Sequence, residues 1–197
     1  MKVFLYSTSP RRAEVLRLIG CDFIIKEPLG DERGISKTLS PEDYVIKSSL
    51  VKLGNREKIK DSGLCISADT IVFFNGQYLE KPDNENEAFL MLEALSGHWH
   101  HVYTGMTLFN SIDRSLFSFS EITEVSFRHF NSEFIKSYLS TGEPFDKAGA
   151  YGIQGYGASL IKEIKGCYYN VMGFPLAKFL DVIEERNFRI SLFKRRI

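Results

Sequence analysis

Val3-Phe4-Leu5-Tyr6-Ser7-Thr8-Ser9-Pro10-Arg11-Arg12-Ala13-Glu14-Val15-Leu16 is the stretch on which the fold class turns. Four apolar residues, Val3 to Tyr6, read as a short buried strand. The chain then passes through three small hydroxyl residues into a helix. Ser9 suits the N-cap, and Pro10 suits the first helical position, where a missing N–H costs nothing. Val15, Leu16, Leu18 and Ile19 give that helix an apolar side, and Gly20 closes it.

The same alternation continues outward. A second strand is expected over Asp22 to Lys26. Ser40-Pro41-Glu42-Asp43 opens a second helix, with acidic residues at its positive end, and the pattern carries it to about Lys58. Leu64 to Phe74 is the most strand-like segment, and Asn75-Gly76 is a two-residue hairpin signal. Asp83 is expected to cap a third helix through Ala88, Leu92 and Leu95, with Gly97 just past its end. His98 to Phe109 and Leu116 to Phe127 alternate as two long paired strands. A helix from Asn131 ends before Gly142, Ser159 to Ile164 reads as a strand, and Pro175 to Glu185 as a last helix. Strands alternating with helices predict an α/β class. Neither repeats nor a linker divide the composition, so residues 1–197 are read as a single domain.

The bulk numbers exclude several classes. Of 197 residues, 44% are apolar and 25% charged, the balance of an ordinary globular protein. Twenty-five basic residues meet 25 acidic ones, which argues against an extended nucleic-acid surface. Lys194-Arg195-Arg196 reads as a solvated tail. No run reaches the roughly 20 apolar residues of a membrane span, and the apolar N-terminus is too short for a signal peptide. Cys21, Cys65 and Cys167 lie far apart, without metal-ligand spacing, which suits a reducing compartment. The cytoplasm is the expected location.

Three places carry candidate chemistry. A strand turning through Ser-Thr-Ser into a helix start is an anion site in its geometry. Arg11 and Arg12 oppose the helix dipole there, so either they meet a phosphate or they are solvated surface charges. Asp69 interrupts the apolar run Leu64–Phe74, where a carboxylate must be paired, hydrogen-bonded or metal-bound unless the strand is bulged or at an edge. Lys81 follows the hairpin, and Lys52 reads as a lysine whose stem packs along its helix. The third place is the glycine-rich segment from Gly142 to Ala158. A buried glutamine within it, Gln154, can read a base edge through its amide. His98, His100 and His101 resemble a metal cluster, but strand alternation splits them between faces, and hard-metal phosphate chemistry does not need them. Trp99 reads as a core or dimer contact.

Taken together and in order, these stretches resemble the Maf family of nucleoside triphosphate pyrophosphatases. The opening Leu5-Tyr6-Ser7-Thr8-Ser9-Pro10-Arg11-Arg12-Ala13-Glu14-Val15-Leu16 matches the family's first motif. Ala68-Asp69-Thr70-Ile71-Val72 followed by Glu80-Lys81-Pro82 matches its central block. Leu95 to Gly105 resembles a third, with the histidine displaced or doubled. Asp146 to Gly155 is present whole, and Asn170 to Pro175 follows, so the resemblance spans about residues 3 to 180. It implies an elongated mixed sheet flanked by helices, with two lobes around a nucleotide cleft. It assigns phosphate contacts to Ser7, Arg11, Arg12, Lys52 and Lys81, and acidic metal-binding roles to Glu32 and Asp69. Asp69 is the implied proton acceptor. Arg11, Thr70 and Gln154 correspond to positions that influence substrate choice. Asp-Thr with Gly-Ile-Gln-Gly resembles the branch acting on dTTP and UTP.

The implied reaction is attack of water at the α-phosphorus, giving the monophosphate and pyrophosphate, with Mg²⁺ or Mn²⁺ as cofactor and a homodimer as the assembly. A house-cleaning role in the nucleotide pool follows. The rival readings are a pyrophosphatase for methylated purine nucleotides, against which Thr70 and Gln154 argue, and a non-catalytic nucleotide or nucleic-acid regulator. Two departures stand out: Glu80 where the family has glycine, and Ser48-Ser49 where an apolar pair is usual.

Overall fold

The computed structural model describes residues 1–32 and 34–193; the basic stretch Lys194-Arg195-Arg196 lies outside them. The described elements are β1 (Val3–Tyr6), α1 (Pro10–Leu18), β2 (Ile24–Lys26), α2 (Pro41–Lys52), β3 (Leu64–Phe74), β4 (Gln77–Leu79), α3 (Glu85–Leu95), β5 (Trp99–Asn110), β6 (Leu116–Phe127), α4 (Ser132–Leu139), β7 (Ile161–Lys165), α5 (Tyr168–Val171) and α6 (Leu176–Glu185). The seven strands form one mixed sheet in the order β2-β1-β3-β5-β6-β7, with β4 on β3. β1 runs parallel to both β2 and β3, with Leu5 opposite Ile25 and Ile66. β4 returns antiparallel along β3 through the Asn75-Gly76 turn, and β7 is antiparallel to β6. This is the expected α/β class.

The chain divides into two compact units. One comprises Met1–Asp69, Thr104–Glu121 and the chain from Gly173 on; the other comprises Thr70–Tyr103 and Ile122–Met172. Within the first, Phe4, Tyr6, Leu53, Ile59, Cys65 and Phe109 form a buried cluster. The second buries α3 and α4 residues such as Leu92, Leu95, Ile135 and Leu139 against Val102, Val125 and Phe127. Among the described residues no helix is long and apolar enough to cross a membrane.

Helix boundaries follow their end chemistry. On α2, Ser40 Oγ accepts from the Asp43 amide at 3.1 Å and donates to the Asp43 carboxylate at 2.8 Å, a side-chain N-cap steadied by the acid it caps. Sequence periodicity carries α2 to Lys58, but it stops at Lys52. Gly54 there adopts φ 60°, a left-handed stop, and the Lys52 carbonyl accepts from the Leu29 amide at 2.9 Å. Residues Arg56–Lys58 form a separate 3₁₀ turn capped by Asn55. The third helix is capped by Asn84 rather than Asp83; its side chain accepts from the Glu87 amide at 2.9 Å, and Asp83 instead donates its amide to the Glu87 carboxylate.

Candidate functional site

The first unit holds six of the expected site residues: Ser7, Arg11, Arg12, Glu32, Lys52 and Asp69. Helix α2 buries Tyr44, Val45, Ser48, Ser49 and Lys52 along one stripe, the spacing of a single helical face. That stripe delivers the Lys52 ammonium into a carboxylate pair. Its Nζ lies 2.6 Å from Asp69 Oδ1 and 3.2 Å from Glu32 Oε1. Lys52 is therefore an ion-paired interior lysine, with its side chain only 11% exposed, and does not lie along the surface. Asp69 sits on β3, which has neighbours on both sides in the sheet, so the edge-strand alternative does not hold.

Beside Lys52, α2 buries Ser49 in a hydroxyl network. Ser49 Oγ donates to the Ile46 carbonyl and meets Thr107 Oγ1 at 2.8 Å, which in turn meets Ser118 Oγ at 2.9 Å. Ser67 Oγ donates to the Ser49 carbonyl at 2.6 Å. A chain of hydroxyls thus takes the place of methyl packing between α2 and the strands, with its polar atoms satisfied. Ser48 is fully buried.

Glu32 is held by the loop before it. Leu29 donates to the Lys52 carbonyl, and a Cβ placed on Gly30 would come 1.9 Å from the Val51 carbonyl oxygen. The loop therefore lies directly against the end of α2, and Glu32 reaches the lysine at its terminus.

Arg12, an expected phosphate contact, is held at the turn by backbone and hydroxyl partners. It is 8% exposed; its Nε donates to the Gly173 carbonyl at 2.9 Å and its Nη1 to Ser7 Oγ at 3.2 Å. Ser7 Oγ also accepts from the Ser9 amide at 3.1 Å. Ser9 occupies the N-cap position but makes no side-chain cap bond. Arg12 thus fastens the strand–helix turn to a segment 161 residues later, a partner that no local pattern announces. Arg11, in the same first turn, is half-buried.

The charges set one another's protonation. Burial pushes the Asp69 carboxyl up, but the Lys52 and Arg12 charges, with the Lys52 and Ser48 hydrogen-bonding groups, outweigh it and hold Asp69 below the usual carboxylate range. Burial likewise pulls the Arg12 guanidinium down, opposed by Asp69 and Glu32; an arginine remains protonated through such a shift. Asp69 is an anion at neutral pH.

Two carboxylates converging on one cation are hard oxygen donors of the type Mg²⁺ and Mn²⁺ take. Among the described residues no group of three His, Cys, Asp or Glu side chains gathers to form a full cage. The donor set fits a metal held by one or two carboxylates, with substrate phosphates and water completing its shell.

The remaining expected residues belong to the second unit. Thr70 follows Asp69 on β3. Lys81 is exposed after β4. The Glu80 carbonyl accepts from the Gly149 amide at 3.1 Å, so Glu80 anchors the glycine-rich segment through its backbone. Gln154 precedes a 3₁₀ turn, Gly155–Leu160, and is half-buried, not buried as expected. His100 is fully buried, with Nε2 2.7 Å from Tyr151 Oη, and packs edge-on against the Phe127 and Tyr151 rings. Trp99 is 38% exposed, and Lys165 Nζ sits 4.1 Å from its ring centre.

Comparison with known proteins places these residues in context. A family model described as "Maf-like protein" matches residues 2–186. A dTTP/UTP pyrophosphatase from Clostridium perfringens is 45% identical over 193 residues, 98% of this chain and 100% of the relative. Another protein of that name, from Carboxydothermus hydrogenoformans, is 46% identical over 186 residues, 94% of this chain and 98% of the relative. A solved nucleoside-triphosphatase / dITP/XTP pyrophosphatase from Mycobacterium abscessus is 15% identical, covers 94% of both chains and has a TM-score of 0.42.

Proposed function

The chain belongs to the Maf family, and from that premise we propose that it is a metal-dependent nucleoside triphosphate pyrophosphatase acting on dTTP and UTP. The observation that carries this reading is the Lys52 ammonium clasped by Asp69 and Glu32, beside a strand–helix turn fastened by Arg12. The full-length relatives named dTTP/UTP pyrophosphatase support the substrate class.

A nucleoside triphosphate carries about four negative charges, so charge neutralisation must precede attack by water. Lys52 and Arg11 supply positive charge for phosphate oxygens, and Lys81 is a further phosphate ligand proposed from its match to the family motif. Ser7 and Arg12 shape the turn that receives the anion. Glu32 and Asp69 would hold Mg²⁺ or Mn²⁺, which when bound neutralises phosphate charge and polarises the phosphorus. Asp69, kept ionised by its neighbours, accepts the proton of the attacking water. General-base catalysis of this kind contributes roughly 10²- to 10⁴-fold. Attack at the α-phosphorus releases the monophosphate and pyrophosphate. Thr70 and Gln154 select the substrate, Gln154 by pairing its amide with the base edge.

The three cysteines are free thiols, which supports a reducing compartment, and we place the enzyme's work in the cytoplasmic nucleotide pool. The assembly proposed is a homodimer, without a nucleic-acid partner.

A pyrophosphate-release screen over dTTP, UTP, CTP, GTP, ATP and methylated GTP, with Mg²⁺ or Mn²⁺ and beside Asp69→Asn, tests the reading. Turnover of dTTP and UTP that Asp69→Asn abolishes supports it. Orthophosphate as first product, preference for methylated GTP, or binding without turnover would each overturn it.

A further inference from the structure

The glycine-rich segment of the second unit is organised around one carboxylate. Glu143 Oε1 accepts from Tyr138 Oη on α4 at 2.9 Å and from the Gly157 amide at 2.9 Å. Its Oε2 accepts from the Tyr156 amide at 2.9 Å. Tyr138 Oη in turn accepts from the Gly152 amide at 3.4 Å. One side chain thus grips the backbone on the far side of Gln154, while its tyrosine partner grips the near side. The packing leaves little slack: a Cβ on Gly157 would come 2.2 Å from the Gly152 carbonyl oxygen and 3.0 Å from Glu143 Oε1. Hydrogen bonds to a carboxylate are about twice as strong as neutral ones, so this grip exceeds what two ordinary turn bonds provide.

The consequence concerns Gln154. Uracil and thymine offer a carbonyl acceptor beside an N–H donor, whereas cytosine offers an amino donor beside a ring acceptor. A glutamine amide can satisfy either pattern by turning over. It discriminates only if its backbone is held so that one orientation meets the base and the other leaves a buried polar group unpaired. We propose that Glu143 is a positioning residue for base selection, fixing the backbone that carries Gln154 so that its amide favours the uracil or thymine edge over cytosine. The inference rests on the proposed reading of Gln154 as the base contact.

The test compares wild type with Glu143→Gln, Gln154→Ala and the double variant. Glu143→Gln keeps the size but turns an –NH2 toward one of the bound amides. Three readouts are taken: hydrogen exchange at the Tyr156 and Gly157 amides, UTP-over-CTP preference in kcat/KM, and the same preference in equilibrium binding. The expected result is exchange about tenfold faster in Glu143→Gln and a preference reduced about tenfold or more. No further loss of preference is expected on adding Glu143→Gln to Gln154→Ala. Unchanged exchange overturns the grip. Faster exchange with the preference intact, while Gln154→Ala destroys it, overturns the positioning role and spares the base contact. An intact preference in Gln154→Ala removes the base contact itself, and the positioning role with it.

Discussion

Lys52 Nζ and Asp69 Oδ1 stand 2.6 Å apart with side chains 11% and 15% exposed, and each charge offsets much of the cost of burying the other. Removing Lys52 leaves burial, which raises the Asp69 pKa, opposed chiefly by Arg12. Lys52→Met should lower unfolding free energy at neutral pH by about 3 kcal/mol and turnover by roughly 10²-fold or more. Asp69's depressed pKa stabilises the fold above its ordinary value near 4 and loses that contribution as pH falls through the folded value. Lys52→Met should therefore lose less stability on acidification than wild type. In urea titrations at neutral pH, adding Asp69→Asn should restore part of the loss; a Lys52→Met protein as stable as wild type would mean that solvent screens the pair.

Glu32 depends on a close backbone approach instead of on its own packing. Gly30→Ala puts a methyl 1.9 Å from the Val51 carbonyl oxygen, so the loop must move. A cost of about 1–3 kcal/mol is expected from the overpacking. The Mg²⁺ concentration for half-maximal activity should rise several-fold relative to wild type. A metal titration of Gly30→Ala beside wild type checks this.

The Ser49–Thr107–Ser118 hydroxyl chain predicts that polarity, not volume, matters under α2. Ser49→Ala should cost about 1–2 kcal/mol by breaking a buried hydrogen-bond run. Combined with Thr107→Val the loss should be smaller than the sum, because both remove one shared interaction. Thermal unfolding of the two single variants and the double variant measures that coupling.

Local chemistry made most of the fold legible in the sequence. The Pro10 and Pro41 helix starts, the Asn75-Gly76 turn and the Leu116–Phe127 strand all stand where their residue chemistry puts them. Errors came where a long-range contact overrode a local pattern. Helix periodicity runs past Lys52, but the helix ends there because Leu29 takes its carbonyl and Gly54 turns the chain. The site divided similarly. Asp69 was legible as a charge inside an apolar strand. Arg12 as an internal fastener was not, because its partner is the Gly173 carbonyl. Ser48-Ser49 looked like weakened packing because Thr107 and Ser118, which complete the network, lie far along the chain. The Glu143 grip was hidden because its amide partners, Tyr156 and Gly157, lie 13 and 14 residues along the chain.

His100 supplies a pH dependence separate from catalysis. It is fully exposed to no solvent, packed against Phe127 and Tyr151, and bonded through Nε2 to Tyr151 Oη. Burial, with the neighbouring His101 charge, lowers its pKa to about 3, against a smaller raising effect from the His98 backbone. In the unfolded chain the imidazole titrates near 6.5. Between those values the unfolded state binds a proton that the folded state refuses, so stability falls as pH drops from about 6.5 toward 3. With about 1.4 kcal/mol per pKa unit, the contribution is on the order of 4 kcal/mol across that window. His100→Gln keeps a partner for Tyr151 Oη and removes the titration. Urea midpoints between pH 7.5 and 4 should fall less steeply for His100→Gln than for wild type, with the curves diverging below about pH 6.5. Parallel curves would mean that the folded protein protonates His100 as readily as the unfolded chain does, and that the aromatic cage opens to water.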